Sequence, residues 1–185
     1  MDQEKLRPLI DAVKKNPQDS WAWMQLGSVA KMTNDWQTAY CSYLTATRLC
    51  PDNKECLERF SQAREEYIKF KEIPQEEFYQ EISKLPHHTV VILLIGMLNT
   101  VIDPLINEVK NAVAKGCTKV VFDFTGMFYI SGLGPSCLRN LLEHITKQNG
   151  KMAIVGQKPD IRHILELKKV LITEYVDIAE AFLKM

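Results

Sequence analysis

The sequence lacks several features that would assign it to a common functional class. Basic and acidic residues are equally numerous, 23 of each, so no surplus of positive charge is available to neutralise a nucleic-acid backbone. No apolar run reaches membrane-spanning length, and the N-terminus lacks the basic-then-apolar pattern of a secretory signal. We therefore expect a cytoplasmic protein with neither a membrane span nor a nucleic-acid partner.

Motifs for catalysis and metal binding are also missing. The five cysteines form no CxxC pair, and an odd number without a signal peptide is typical of reduced cytosolic thiols. No phosphate-binding loop, GxGxxG or HExxH occurs. Cys137 and His144 share a predicted helix but stand about 10 Å apart along its axis, too far for a nucleophile and its base. His87 and His88, on an extended segment, would point to opposite faces. The sequence predicts no enzyme, no metal site and no cofactor.

The first 72 residues contain a single glycine, Gly27, and no segment with the composition of a strand. Apolar periodicity and helix-breaking residues predict four helices, near 3–15, 20–32, 36–48 and 54–71. The turn Asn16-Pro17-Gln18-Asp19 recurs as Cys50-Pro51-Asp52-Asn53, an offset of 34 residues. That offset is the period of tetratricopeptide repeats.

The residues between these two turns resemble the tetratricopeptide (TPR) pattern. The matching positions are Trp23, Leu26, Gly27, Ala39, Tyr43, Ala46 and Pro51. Gly27 and Ala39 are small, which lets two antiparallel helices approach closely, whereas Ala30 departs from the pattern because tyrosine is usual there. About three repeats are normally needed to bury a continuous core, and this segment has roughly two. We expect it to pack on the second domain, on a second copy or on a partner.

A polar, proline-containing linker at 73–77 separates this TPR-like module, 1–72, from a second domain at 78–185. Strands are predicted at 78–83, 89–98, 119–124, 151–155 and 172–176, and helices at 104–114, 135–148, 160–167 and 177–183. Asp103 or Asn99 is the expected cap of the first of these helices. The order predicts an α/β domain with a mixed sheet of four to five strands and flanking helices, preceded by an all-α module.

The second domain resembles the STAS domain, the fold of bacterial anti-sigma-factor antagonists. The resemblance rests on Gly96-Met97-Leu98-Asn99 after the long strand, on Val120 to Asp123 in the next strand, and on Gly150 at a helix end. It implies a non-catalytic bacterial regulator whose partner is an anti-sigma factor or a serine kinase. It also implies that Asp123, at a strand end, and Asn99 support the turn that contacts this partner.

In that family the turn has the form Asp-Ser-Ser-Gly-Leu-Gly, and the partner kinase phosphorylates the second serine. By eye, the segment Ser131-Gly132-Leu133-Gly134 matches the tail of the turn and makes Ser131 the acceptor. Counting without gaps from Asp123 to Gly150 instead places Leu133 at the acceptor position. The gapped frame needs two residues inserted in the helix, which would rotate its apolar face by roughly 200°.

Pro135 favours the ungapped frame, because proline is tolerated at the first helical position but not a turn further inside. We expect the helix to start near Pro135 with Gly134 as its cap, and Ser131 to be a turn or cap residue. Ser136, in the first helical turn, is the second candidate acceptor if a kinase acts here.

Our leading hypothesis is a protein like the anti-sigma-factor antagonists that binds its partner through residues 131–145 and lacks the standard phosphoacceptor serine. The TPR-like module serves as a docking element, on a partner or in a homo-oligomer. The alternative is a scaffold or small-ligand-binding STAS protein unrelated to sigma factors. An enzyme that uses Asp123 or Cys137 ranks third.

Overall fold

The structure, a computed structural model, describes residues 2–74, 77–99 and 102–185. The chain separates into two units, residues 1–72 and 73–185. Two residues of the expected linker, Gln75 and Glu76, lie outside the described residues. Among the described helices, none is long and apolar enough to cross a bilayer.

The first unit consists of four helices, which confirms the predicted helical segment. They are α1 (Asp2–Lys15), α2 (Ser20–Met32), α3 (Trp36–Leu49) and α4 (Lys54–Lys71). The last three begin after Asp19, Asp35 and Asn53, whose side-chain oxygens accept backbone N–H groups of the first helical turn. This capping satisfies donors that a helix start leaves unpaired, and it fixes where each helix begins.

Helices α2 and α3 pack closely at Gly27. A Cβ at this position would lie 2.8 Å from Cε1 of Tyr43, so a larger residue would displace the ring. The Tyr43 hydroxyl is 3.0 Å from the hydroxyl of Ser28 on α2. The Tyr40 ring stacks on Tyr67 of α4 at a centroid distance of 5.2 Å, so aromatic packing also joins α3 to α4.

The second unit alternates strands and helices around one five-stranded sheet, as predicted. Its elements are β1 (Phe78–Leu85), β2 (Thr89–Leu98), α5 (Asp103–Ala114), β3 (Lys119–Ile130), α6 (Gly134–Lys147), β4 (Lys151–Val155), α7 (Pro159–Leu167), β5 (Thr173–Tyr175) and α8 (Ile178–Lys184). The strand order is β1-β2-β3-β4-β5. Strand β1 runs antiparallel to β2, and the other neighbours are parallel. The predicted mixed α/β sheet is therefore confirmed.

The main core lies on one face of this sheet. Alternate residues of β2 and β3, including Val90, Ile92 and Phe122, join one apolar cluster with buried residues of α5, α6 and α7. Helix α8 packs on β3, β4 and β5, and its own buried residues are outside that cluster. Strand β2 is buried almost throughout. This explains its continuous apolar run, since a strand that is buried on both faces has no polar face.

Strand β3 is longer than predicted. Its predicted end was Phe124, because Thr125-Gly126 has the composition of a turn, yet the strand continues to Ile130. The pairing with β2 absorbs the extra residues through two register shifts, between Leu93 and Ile95 and between Gly96 and Met97. Each shift places one extra residue in β3, as in a β-bulge, and the two strands stay paired as far as Ile130.

Two smaller predictions about this unit are wrong. The N-cap of α5 is Ile102 rather than Asp103 or Asn99, and within the described residues no side chain caps this helix. Asp103 lies inside the first turn, where a carboxylate interacts favourably with the positive end of the helix dipole. His87 and His88 are not extended but adopt a left-handed turn with φ of 58° each. The expectation that their side chains point to opposite faces of an extended segment therefore does not apply. The described residues hold no group of three or more possible metal ligands.

Candidate functional site: the turn between β3 and α6

The site begins with an overhang at the end of β3. The pairing of β3 with β4 ends at Asp123 and Val155, whereas its pairing with β2 continues to Ile130 and Leu98. Within the described residues, β4 therefore pairs with nothing in β3 beyond Asp123. The last seven residues of β3 extend past β4, so the turn lies beyond the carboxyl ends of the parallel strands.

Three backbone hydrogen bonds hold the turn at 131–134. The N–H of Ser131 donates to the Leu98 carbonyl at 3.0 Å, and the N–H of Leu133 donates to the Asn99 carbonyl at 3.2 Å. The N–H of Gly134 donates back to Ser131 at 3.0 Å. Gly132 has φ of +55°, and a Cβ there would lie 2.5 Å from the Asn99 carbonyl oxygen. The end of β2 thus holds the turn, and glycine is required at position 132.

Helix α6 starts directly after this turn. Its N-cap residue is Leu133, and within the described residues no side chain forms a cap hydrogen bond. Gly134, expected to be the cap, is instead the first helical residue, and Ser131 does not cap the helix. A Cβ on Gly134 would lie 2.5 Å from the Leu98 carbonyl oxygen, so the helix start packs against β2 as well. Pro135 occupies the first turn, where its missing N–H costs nothing.

Large apolar side chains are exposed in the turn and in the last part of β3. Leu133 is 56% exposed, and the neighbouring strand residues Phe128 and Tyr129 are 41% and 44% exposed. The Nζ atom of Lys158, at the start of α7, lies 5.0 Å from the Phe128 ring centroid, a cation–π contact. We call Phe128, Tyr129, Leu133 and Lys158 the turn surface. Sequence reasoning found Leu133 but missed the other three, and the adjacent Phe-Tyr pair was the available signal.

Asp123 lies within β3 rather than at the turn. It is fully buried inside β3, at the level where β4 ends, and Ile130 is seven positions further along the strand. Its Oδ1 accepts the backbone N–H of Thr125 at 3.0 Å, so the carboxylate stabilises the first bulged part of β3. The predicted position at a strand end is wrong, because the strand was expected to stop too early. Asn99, in contrast, contacts the turn directly through its carbonyl group.

The remaining polar candidates have different environments. Ser131 and Ser136 are both half-buried, Ser136 in the first turn of α6. Cys137 is buried, and this burial raises the pKa of its thiol, so at neutral pH the thiol is protonated rather than a nucleophilic thiolate. The first turn of α6 therefore presents no activated nucleophile at Cys137.

Comparison with known families now places this fold. The model of the STAS domain family matches residues 76–181, more than half of the chain. The chain belongs to the STAS domain family. Among curated protein sequences there is no significant match. The family match thus covers the sheet, the turn surface and the helices up to the first half of α8, and leaves the four N-terminal helices outside.

Solved structures with a similar fold include anti-sigma factor antagonists. One from Mycobacterium paratuberculosis has a TM-score of 0.51 and 18% identity, covering 60% of this STAS protein and 95% of that chain. SpoIIAA in its unphosphorylated form has a TM-score of 0.48 and 15% identity, covering 55% and 92%. The Bacillus cell fate determinant SpoIIAA in its phosphorylated form has 0.45 and 15%, covering 54% and 93%. At these identities the likeness concerns the fold alone.

Proposed function

We propose that this STAS protein is a non-catalytic cytosolic regulator that binds a protein partner through the turn and helix at 131–145. The observation that carries this proposal is the exposed apolar side chain of Leu133 at the N-cap of α6, with two more exposed aromatic residues in the last part of the preceding strand. Aromatic and apolar side chains at the centre of a polar surface are typical of protein interfaces. By analogy with the antagonists that share its fold, the partner is an anti-sigma factor or a related serine kinase.

We further propose that this binding is not switched by phosphate at the family's acceptor position. The ungapped alignment places Leu133 there, and leucine has no hydroxyl to phosphorylate. The start of the helix at Gly134 and the position of Pro135 support that alignment, because both fit without an insertion in α6. Binding is then constitutive or controlled by another route.

The helical unit serves, in this proposal, as a second docking element. It has four helices, and its sequence resembles a TPR pattern over roughly two repeats, fewer than such arrays normally need to bury a continuous core. A partner or a second copy would supply the missing contacts.

Capture from the source organism followed by a binding measurement tests the proposal. The tagged full-length chain is used as bait, recovered proteins are identified by mass spectrometry, and the purified partner is titrated by calorimetry. We expect an anti-sigma factor or kinase, with Leu133→Glu weakening its affinity by about tenfold or more. The matched control is Leu167→Glu, since Leu167 is 67% exposed but lies at the end of α7.

Two outcomes would contradict the proposal. Recovery of unrelated complex subunits, with equal effects of both leucine variants, would favour the scaffold alternative. Stoichiometric phosphate on Ser131 or Ser136 after incubation with the recovered kinase and ATP would show that a phosphate switch survives in this turn.

A further inference from the structure

Strand β1 forms one edge of the sheet and pairs with β2 along its whole length. It has eight residues, and its register with β2 contains no shift. The opposite edge differs, because β5 has three residues and the N–H of Val176, directly after it, donates to Oε2 of Glu180. Long, regular edges pair readily with a further strand, whereas very short or covered edges do not. The β1 edge is therefore the one that suits another strand.

The hydrogen-bond pattern shows which backbone groups of β1 point away from β2. The N–H of Met97 donates to the Glu77 carbonyl at 2.9 Å, and these two residues continue the register of the two strands. Hydrogen-bonded pairs alternate along an antiparallel ladder, so the residues with outward N–H and C=O groups alternate from Phe78 onward. They are Phe78, Gln80, Ile82 and Lys84. Among the described residues, none forms a hydrogen bond with these outward groups.

Two polar side chains accompany the outward backbone groups. Phe78 and Ile82 pack against the main core. Because alternate side chains share a face of a sheet, Gln80 and Lys84 lie on that same face. Lys84 is exposed, whereas Oε1 of Gln80 is buried and has no hydrogen-bond partner among the described residues. Turning this amide toward a new donor therefore breaks no hydrogen bond of that oxygen.

We propose that a second copy of this chain pairs its β1 antiparallel with this edge, so that the two sheets become one. In the register centred on Ile82, this residue lies opposite its counterpart, and Gln80 lies opposite Lys84 of the second copy. Each such pair exchanges two backbone hydrogen bonds, and the Lys84 ammonium donates to Oε1 of Gln80 across the strands. A register centred on Glu81 would place two glutamates directly opposite each other, which is unfavourable. The sequence of β1 is thus complementary to itself in one register.

Pairing of this kind makes a small interface. Stable interfaces bury about 800 Å² on each partner, more than one strand edge provides, so we expect a weak dimer with a Kd of about 100 µM. The contact uses no residue of the turn surface. Its failure would therefore leave the proposed partner binding at 131–145 unaffected.

Sedimentation equilibrium of the full chain tests whether it dimerises. From about tenfold below to about tenfold above that Kd, the monomer fraction should fall from about 85% to about 20%. Nuclear magnetic resonance of the ¹⁵N-labelled chain at the same two concentrations then measures how fast amide protons exchange with water. We expect exchange at Gln80, Ile82 and Lys84 to slow by about fourfold, in step with the monomer fraction.

Charge variants test the register. Gln80→Glu puts a carboxylate opposite Lys84 and should tighten the dimer by about fivefold. In a Lys84→Glu background the same change puts two carboxylates opposite each other and should weaken the dimer instead. Positions 80 and 84 are about 13 Å apart along one strand, so this reversal of sign cannot arise within a single chain. The matched control is Lys168→Glu, an exposed lysine after α7, expected to leave the Kd unchanged.

Three results would overturn the proposal. The first is a chain that stays monomeric at about tenfold above the expected Kd. The second is a dimer in which the outward amides of β1 exchange as fast as in the monomer, since that dimer would use another surface. The third is an effect of Gln80→Glu that has the same sign in both backgrounds.

Discussion

Replacing Gly134 with alanine tests whether the turn at 131–134 packs against the end of β2. A Cβ there would lie 2.5 Å from the Leu98 carbonyl oxygen and 2.9 Å from Leu98 Cγ. That carbonyl cannot rotate away, because it accepts the N–H of Ser131. A clash with backbone puts the overpacking cost near the upper end of the usual range, about 3 kcal/mol. Helix propensity favours alanine by about 1 kcal/mol, which leaves a net loss of about 2 kcal/mol.

The assay is thermal unfolding of the full chain followed by far-ultraviolet circular dichroism. For a unit of this size, about 2 kcal/mol corresponds to a fall in Tm of about 8 °C. All three tryptophans, Trp21, Trp23 and Trp36, belong to the first unit, so their fluorescence is an internal reference for that unit. The control is Ser136→Ala in the same helical turn, expected to stay within about 0.5 kcal/mol.

A Tm that rises in Gly134→Ala would refute this reasoning. It would mean that helix propensity decides the outcome and that the helix start does not press on Leu98.

Three further predictions concern other groups. Asp123→Ala leaves the Thr125 N–H without its acceptor and should cost about 1–3 kcal/mol in thermal unfolding. Asp123→Asn keeps an acceptor oxygen and should cost less, so equal losses would contradict this role. Because burial raises the pKa of Cys137, iodoacetamide should label it more slowly in native than in urea-unfolded protein, as measured by mass spectrometry; equal rates would contradict its burial. Hydrogen bonds, first from Lys184, lower the pKa of Glu180, so its contribution is complete above the unfolded-state pKa and is lost as pH falls through the folded one. Glu180→Gln should therefore flatten the acid limb of Tm against pH, and an unchanged limb would contradict the pKa shift.

Most of the fold could be predicted because local signals and tertiary structure agree. Asp19, Asp35 and Asn53 cap their helices through contacts within one turn of chain, which a sequence displays directly. Strand β2 is a continuous apolar run bounded by turns, and its predicted and observed limits coincide at Thr89 and Leu98. In both cases no distant contact is needed to fix the boundary.

Strand β3 could not be predicted in full, because distant pairing overrides its local signals. Thr125 and Gly126 favour a turn, and only the shifted register with β2 keeps them extended. A Cβ at Gly126 would lie 2.9 Å from Ile95 Cγ1, so this glycine serves close strand packing instead of chain reversal. Because the strand was predicted to end at Phe124, Asp123 was placed at its end, and Phe128 and Tyr129 were not recognised as exposed strand residues. The acceptor position at Leu133 remains a prediction, because it rests on an alignment count.

A leucine at the N-cap of α6 changes what kind of contact this surface can make. A hydroxyl at a helix N-terminus can acquire a phosphate, whose charge switches binding on a regulated timescale. Leu133 instead offers apolar area, and because 56% of it is still exposed, burying the rest contributes about half of the roughly 1.5–3 kcal/mol of a full burial. That energy alone corresponds to roughly a fourfold to tenfold gain in affinity, which needs no ATP. If Leu133 is the anchor, its own side chain cannot acquire a phosphate, so any control of binding rests on Ser131 or Ser136, on the partner or on the helical unit.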